Sequence, residues 1–369
     1  MAPSGSLRTF SLKQLPGGEA HFRSRSVNLF IAGVGAVGGT LIKQLNQLDH
    51  RRYDLHVIGL CNNTKVKWRE EEVSTDELYG GRAKNWSEIL THLREIRQEN
   101  RPLIFVDVTG SREVADLYLE LLESGIHVVT PSKIANTLEF EYFSKLKRAA
   151  DDRGINYYYE ATVGAGLPVI HSIENLLESG DEIVDVTGVL SGTMTYLFNE
   201  LEQGSPFSRA VLQARKLGYA EPDPRDDLSG EDVARKFLII ARTCGLPLER
   251  SQIDVQSLIP DELKRVDANE FISRFPEYDT EWSDRIAQEL QNKRTLRYTG
   301  SLSNGNVSIG IEAVNQTSAL GSLTGTNNLV QIRTRRYYDQ PLIIQGPGAG
   351  KEVTAAGVLA DIQKIVNHL

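Results

Sequence analysis

A chain of 369 residues exceeds one typical hydrophobic core, so two domains are expected. Its net charge of −8 excludes the basic footprint that nucleic acid or an anionic membrane would need as partner. A mean hydropathy of −0.30, with no apolar run long enough to span a bilayer, is that of a soluble globular protein.

Cys61 and Cys244 are the two cysteines, far apart, and the seven histidines form no paired motif. They offer neither a disulfide framework nor metal-ligand spacing, and they suit a reducing compartment. Residues 1–26 are rich in Ser and Gly, carry several Arg and Lys against one acid, and lack an apolar centre, which excludes a secretory signal. They read as a leader, a linker from a longer polypeptide or a cloning remnant. The expected localisation is cytoplasmic, with a plastid or other organelle as the alternative if the leader is a transit peptide.

Val27–Ala32 is a short apolar strand that runs straight into Gly33-Val34-Gly35-Ala36-Val37-Gly38. The spacing of Leu41, Ile42, Leu45 and Leu48 predicts a helix behind that loop. Leu55–Leu60, Leu103–Val108 and His127–Thr130 are further apolar strands, separated by helical patterns at Trp86–Glu99, Arg112–Ser124 and Leu138–Arg153. Such alternation predicts an α/β fold with a Rossmann-type, doubly wound parallel sheet.

A glycine loop between a strand and a helix has the context that makes it a dinucleotide site. Gly33 permits the tight turn, Gly35 lets backbone approach a pyrophosphate, and Gly38 lets the helix pack closely. The acid that normally ends the second strand and bonds the adenosine ribose is missing; Asn62-Asn63-Thr64-Lys65-Val66-Lys67 stands there instead. Without it a 2′-phosphate is not repelled, and Lys65 or Lys67 can pair with one. NADP(H) is therefore favoured, with NAD(H) left open.

After Tyr157-Tyr158-Tyr159 the texture changes. Glu160–Pro168 is a Gly-rich turn, followed by a helix at Val169–Ser179, a strand at Ile183–Leu190, and helices at Thr193–Leu201, Ser208–Leu217 and Gly230–Cys244. Strand-like alternation marks roughly 297–334, and a last helix spans Val353–Leu369. The loop Gly346-Pro347-Gly348-Ala349-Gly350-Lys351-Glu352 resembles a P-loop, but Glu352 stands where Mg²⁺ needs a hydroxyl, which excludes triphosphate binding. Such a loop can still close on a cofactor.

Between Glu221 and Lys236 the chain packs six carboxylates and three cations into 16 residues, braced by two prolines. Ser229 is the expected N-cap of the helix that follows, with Glu231 and Asp232 in its electropositive first turn. Asp232 and Lys236 are four apart and share one face. A lysine beside carboxylates stays protonated, as a proton donor to a carbonyl oxygen must.

From Val27 to the C-terminus the chain resembles homoserine dehydrogenase. The match runs through Gly218-Tyr-x-Glu221-Pro-Asp-Pro-x-x-Asp227-Leu-x-Gly-x-Asp232-Val-x-Arg-Lys236, with supporting blocks at Tyr159–Pro168, Leu190–Thr193 and Gly346–Gly350. The resemblance implies reversible NAD(P)H-dependent reduction of L-aspartate 4-semialdehyde to L-homoserine, in threonine, methionine and isoleucine synthesis. It implies Lys236 as proton donor, Asp232 orienting it, Glu221 on the substrate's amino group and Asp227 close by. Cofactor contacts fall on Gly33, Gly35, Ala36, Val37, Gly38, Thr109, Lys133, Gly218 and Gly350. A monovalent cation, expected to be Na⁺, falls on Glu160, Val163, Ala165 and Leu167, and a homodimer is implied.

Two departures stand out. Many members have Asn-Lys-Lys after the Thr-Pro of 130–131, whereas this chain has Ser132-Lys133-Ile134, so one lysine is carried over. The chain ends just after the last helix pattern, so feedback through a C-terminal regulatory domain is not expected. The leader suggests the dehydrogenase half of a bifunctional aspartate kinase.

The expected division is residues 1–26 as leader, 27–158 with 346–369 as the NAD(P)-binding domain, 169–299 as an α+β catalytic region, and 159–168 with 300–345 for dimerisation. Two rivals follow from the same residues. A phosphorylating semialdehyde dehydrogenase needs a thiolate, and neither cysteine is placed for acylation. A non-catalytic NAD(P)-binding sensor has no need of the Asp232/Lys236 pair.

Overall fold

The computed structural model describes residues 26–48, 54–68, 81–99 and 101–369, so all of the leader except Ser26 lies outside the described residues. Among the described residues, seven strands of the first half form one sheet: β1 (Val27–Ala32), β2 (Leu55–Cys61), β3 (Lys65–Trp68), β4 (Arg82–Ala83), β5 (Leu103–Asp107), β6 (His127–Val129) and β7 (Tyr157–Tyr158). Their order is β4-β3-β2-β1-β5-β6-β7, with β3 and β4 antiparallel and the rest parallel. All residues of β1 and β5 are buried, because helices cover both sheet faces. Val27, Leu29 and Ile31 pack on one side and Phe30 and Ala32 on the other. β2 and β5 flank β1 on opposite sides, so the crevice at their carboxyl ends is a topological switch point.

The second sheet comprises β8 (Ile183–Val189), β9 (Asp254–Val255), β10 (Arg294–Ser303), β11 (Asn306–Asn315), β12 (Asn327–Thr334) and β13 (Leu342–Pro347), in the order β13-β12-β8-β10-β11-β9. It is antiparallel except where β9 joins β11. β10 turns into β11 through Asn304-Gly305, both at positive φ, the two-residue turn whose twist matches a hairpin. The helix Glu231–Thr243 lies on this sheet and buries Phe237 and Ile240 with Val186 and Val330. The last helix, Lys351–His368, returns to the first sheet, where Val358, Ile362 and Ile365 meet Leu41, Ile42 and Leu45 of the helix Ala36–Asn46.

Three local features differ from the sequence reading. The helix expected over Arg112–Ser124 is two pieces, Arg112–Ala115 and Tyr118–Glu123, because Leu117 N–H bonds back three residues to Val114 O. The acidic track is not an extended loop: Pro224–Leu228 forms a short helix, with Pro224 at its first position and the Asp223 carboxylate accepting Arg225 N–H. Ser229 is not the N-cap of the next helix. Gly230 holds that position at φ +77°, while Ser229 Oγ accepts Glu231 N–H at 3.3 Å. Two helices meet across this one left-handed residue, and a β-carbon there would sit 1.9 Å from Tyr298 Oη. Gly230→Ala is therefore expected to lose about 2–4 kcal/mol of stability. Urea denaturation checks this; an unchanged midpoint would refute the strain argument.

Candidate active site

Lys236 projects from the second turn of the helix Glu231–Thr243 and is 9% exposed. Its Nζ donates to Leu190 O at 2.7 Å, just beyond the end of β8, and pairs with Asp232 Oδ2 at 2.7 Å. The other Asp232 oxygen lies 3.3 Å from Lys133 Nζ. Lys133 follows β6, so this carboxylate ties the parallel sheet to the helix bearing Lys236. Burial acts to raise the Asp232 carboxyl, but Lys236 and Lys133 outweigh it and hold the group well below the usual carboxylate range. Burial pulls the Lys236 ammonium down from its ordinary value; Asp232 opposes that and Lys133 adds to it. The carboxylate neighbour foreseen from spacing is thus present, yet the net shift is downward because removal from water dominates.

Asp227 lies on the same track. Its Oδ2 accepts Glu221 N–H at 2.8 Å and its Oδ1 accepts Thr193 Oγ1–H at 3.0 Å. Burial raises the Asp227 carboxyl, these two bonds oppose it, and the charges of Glu221 and Asp232 raise it further. Thr193, whose one hydroxyl proton is shared between Asp227 Oδ1 and Tyr219 O, was not singled out as a site residue from sequence, although the Leu190–Thr193 block contained it. Glu221 itself is exposed at the rim. Arg225 is turned away: it clasps Asp223 at 2.6 Å and stacks over Phe271, bracing the track. Gly218 sits in the left-handed turn after the helix Phe207–Lys216.

At the switch point Gly33 takes φ +105°, and Gly38 lies so close beneath it that a β-carbon would be 2.1 Å from Gly33 O. Gly35 is different: it has ordinary φ, and apart from its chain neighbours no atom of the described residues lies within 4 Å of where its β-carbon would point. No contact among the described residues demands glycine there, and the open space leaves room for a group that lies against the backbone. Gly35 and Ala36 are exposed, and the helix start carries no side-chain cap and no acid, which leaves its N–H groups for an anion. Val37 sits in the same first turn. These residues fit a dinucleotide pyrophosphate.

Thr109 follows β5 beside Gly33, its N–H held by Asp107 Oδ1 at 2.7 Å. Burial pushes the Asp107 carboxyl up to about 6, against bonds from Thr109 and Tyr118. Lys65 opens β3, where Asn62 Oδ1 accepts the N–H groups of Thr64 and Lys65. Gly350, at φ +124°, heads the last helix, whose first turn meets the loop's helix through Gln44 Nε2–H and Glu352 O. Burial pushes the Cys61 and Cys244 thiols up to about 12, so neither supplies the thiolate a phosphorylating rival needs.

Glu160, Val163, Ala165 and Leu167 share the turn between β7 and the helix Val169–Glu178. The Glu160 carboxylate is committed, accepting Ile170 N–H and His171 N–H at 2.7 and 2.8 Å. Leu167 O accepts Val169 N–H, while Val163 O and Ala165 O accept no hydrogen bond among the described residues. Free main-chain oxygens are the ligands a hard cation takes. No cluster of three His, Cys, Asp or Glu side chains that could hold a metal occurs among the described residues. No described helix is long and apolar enough to cross a membrane.

Comparison with known proteins places this geometry. The chain is 37% identical over 95% of its length to a bifunctional aspartokinase/homoserine dehydrogenase of Haemophilus influenzae, and spans 44% of that relative. Among solved structures it is similar to a protein of unknown function from Candida auris, at 36% identity and TM-score 0.86, covering 93% of this chain and 99% of that one. It is also similar to a hyperthermophilic archaeal homoserine dehydrogenase in complex with NADPH, at 26% identity and TM-score 0.71, covering 93% and 98%. A model of the homoserine dehydrogenase NAD-binding domain matches residues 33–160, which carry the glycine loop, Thr109 and Lys133. The homoserine dehydrogenase model itself matches residues 168–363, which carry Glu221, Asp227, Asp232 and Lys236. Since the latter alone takes in more than half of the chain, the chain belongs to the homoserine dehydrogenase family.

Proposed function

We propose that this chain reversibly reduces L-aspartate 4-semialdehyde to L-homoserine, as in the synthesis of threonine, methionine and isoleucine. The observation that carries the reading is the Lys133–Asp232–Lys236 chain, which links the turn after β6 to the end of β8. When bound, the nicotinamide cofactor supplies the hydride to the aldehyde carbon. Lys236 gives its proton to the aldehyde oxygen, and its lowered affinity for that proton makes the transfer easier at neutral pH. Asp232 and Leu190 O fix the direction of Nζ. Glu221 takes the substrate's ammonium, with Asp227 holding its backbone.

Gly33, Gly35, Ala36, Val37 and Gly38 would hold the pyrophosphate; Thr109, Lys133, Gly218 and Gly350 would face the nicotinamide end. NADP(H) is the favoured cofactor. Asn62 is neutral and its Oδ1 is occupied by its own turn, so the position where an acid would stand does not repel a 2′-phosphate, and Lys65 begins the adjoining strand. Na⁺ is assigned to the 160–167 turn on the strength of the free oxygens of Val163 and Ala165. A homodimer through the second sheet is supported by the half-exposed Ile343 on edge strand β13. Fusion to an aspartate kinase is supported by the architecture of the Haemophilus relative.

The test is oxidation of NADPH and of NADH by the purified protein with aspartate semialdehyde. Turnover with a preference for NADPH of about tenfold is expected, the worth of one extra phosphate contact. NADPH binding without turnover would instead identify a sensor.

A further inference from the structure

A buried chain of polar groups runs under both turns that face the proposed cofactor crevice. Asp107, fully buried at the end of β5, accepts Thr109 N–H with one oxygen and the Tyr118 hydroxyl with the other. Tyr118 Oη lies 3.0 Å from Thr130 Oγ1, beyond the end of β6, and Thr130 Oγ1 accepts Ser132 N–H at 2.9 Å. A phenol has one proton to give, and it goes to the carboxylate; the Thr130 hydroxyl proton then closes the second link. Asp107, Tyr118 and Thr130 are all shielded from water, so each must find its partners within this chain of groups, and the geometry admits one arrangement.

Its two ends are not equivalent surface loops. One end sets the backbone of Thr109 against Gly33 of the glycine loop. The other sets the turn Thr130–Lys133, and Lys133 reaches Asp232, the carboxylate that pairs with Lys236. We propose that Asp107, Tyr118 and Thr130 form a positioning network that holds the Thr109 turn and Lys133 in a common register, and so fixes the approach of Lys133 to the Asp232 carboxylate that pairs with Lys236. None of the three touches the reacting atoms. This rests on the assignment of Lys236 as proton donor.

The groups facing Lys236 are Asp232 on its own helix, Lys133, Asp227 and Leu190 O. Lys133 and burial lower its proton affinity, whereas Asp232 and Asp227 raise it. If Tyr118 loses its hydroxyl, the Thr130 turn is released and Lys133 no longer faces Asp232 squarely. Lys236 then keeps its proton to higher pH.

Tyr118→Phe is the variant to make, because the ring still fills its place against Tyr157. With wild-type turnover as the reference, kcat/KM for NADPH is expected to fall about tenfold. The alkaline limb of kcat for aldehyde reduction should move up by about 0.5–1 pH unit. Lys133→Met should move the limb the same way, and the double variant no further, since both act through one cation. Thr130→Ser, which keeps the hydroxyl, should retain the wild-type KM for cofactor and the wild-type limb. A Tyr118→Phe protein that melts earlier but keeps its cofactor KM and its limb would overturn the proposal, leaving the network a purely structural one. Absence of turnover in the wild type would instead count against the dehydrogenase reading itself.

Discussion

Lys236→Met is expected to lower kcat for aldehyde reduction by about 10²–10⁴-fold, the range lost when a positioned proton donor is removed. Methionine is the informative replacement. Lys236 is nine-tenths buried, and the helix bearing it packs on the second sheet, so alanine would add a cavity to the loss of chemistry. Met matches the stem in length and leaves no buried charge. Asp232 keeps Lys133 as a partner and remains half exposed to water, so the fold should survive. NADPH affinity should be nearly unchanged, because the glycine loop and the Thr109 turn are not touched. Stopped-flow turnover beside equilibrium cofactor titration separates the two effects. A Met variant that turns over at the wild-type rate would remove Lys236 from the mechanism.

Much of the parallel half was legible because its signals are local. The run from Val27 through Gly38 contains strand, turn and helix within a few residues, and β1 falls where alternation with the later strands placed it. The hairpin at Asn304-Gly305 has an equally local signal, an Asn-Gly pair between β-type runs, although it lies inside a broad stretch of alternation. Other features were not local. The break before Tyr118 comes with a tightened turn at Leu117, and the phenol beyond it bonds Asp107 11 residues back, a partner that sequence does not show. Gly230 displaces Ser229 as cap because a second helix ends immediately before it, and that helix needed the Asp223 side chain to start. At the site, i,i+4 spacing sufficed for Asp232 with Lys236. The approach of Lys133 did not follow from any spacing; it arises where the two sheets meet. Nor could composition show that burial, rather than the adjacent carboxylate, decides the direction of the Lys236 shift.

That balance of opposing influences yields the sharpest test, because two substitutions flanking one lysine should displace its titration in opposite senses. With Lys236 as the proposed proton donor, aldehyde reduction needs it protonated, so its rate is expected to fall as pH rises through the Lys236 pKa. Asp232 raises that pKa by its charge and its hydrogen bond. Asp232→Asn keeps the shape but removes the charge, leaving burial and Lys133 to pull downward together. The alkaline limb should then move to lower pH, by about one unit or more. Lys133→Met removes a cation that lowers the same pKa, so its limb should move to higher pH. A general loss of structure would lower both rates but could not move the limbs apart. In the oxidation direction Lys236 must accept a proton, so the same groups set the acid limb, and each substitution should move it in the same sense as its alkaline counterpart. Limbs that stay fixed in both variants would show that another group titrates in the rate profile. Limbs that move together would show that Lys133 and Asp232 act on the substrate or cofactor rather than on Lys236.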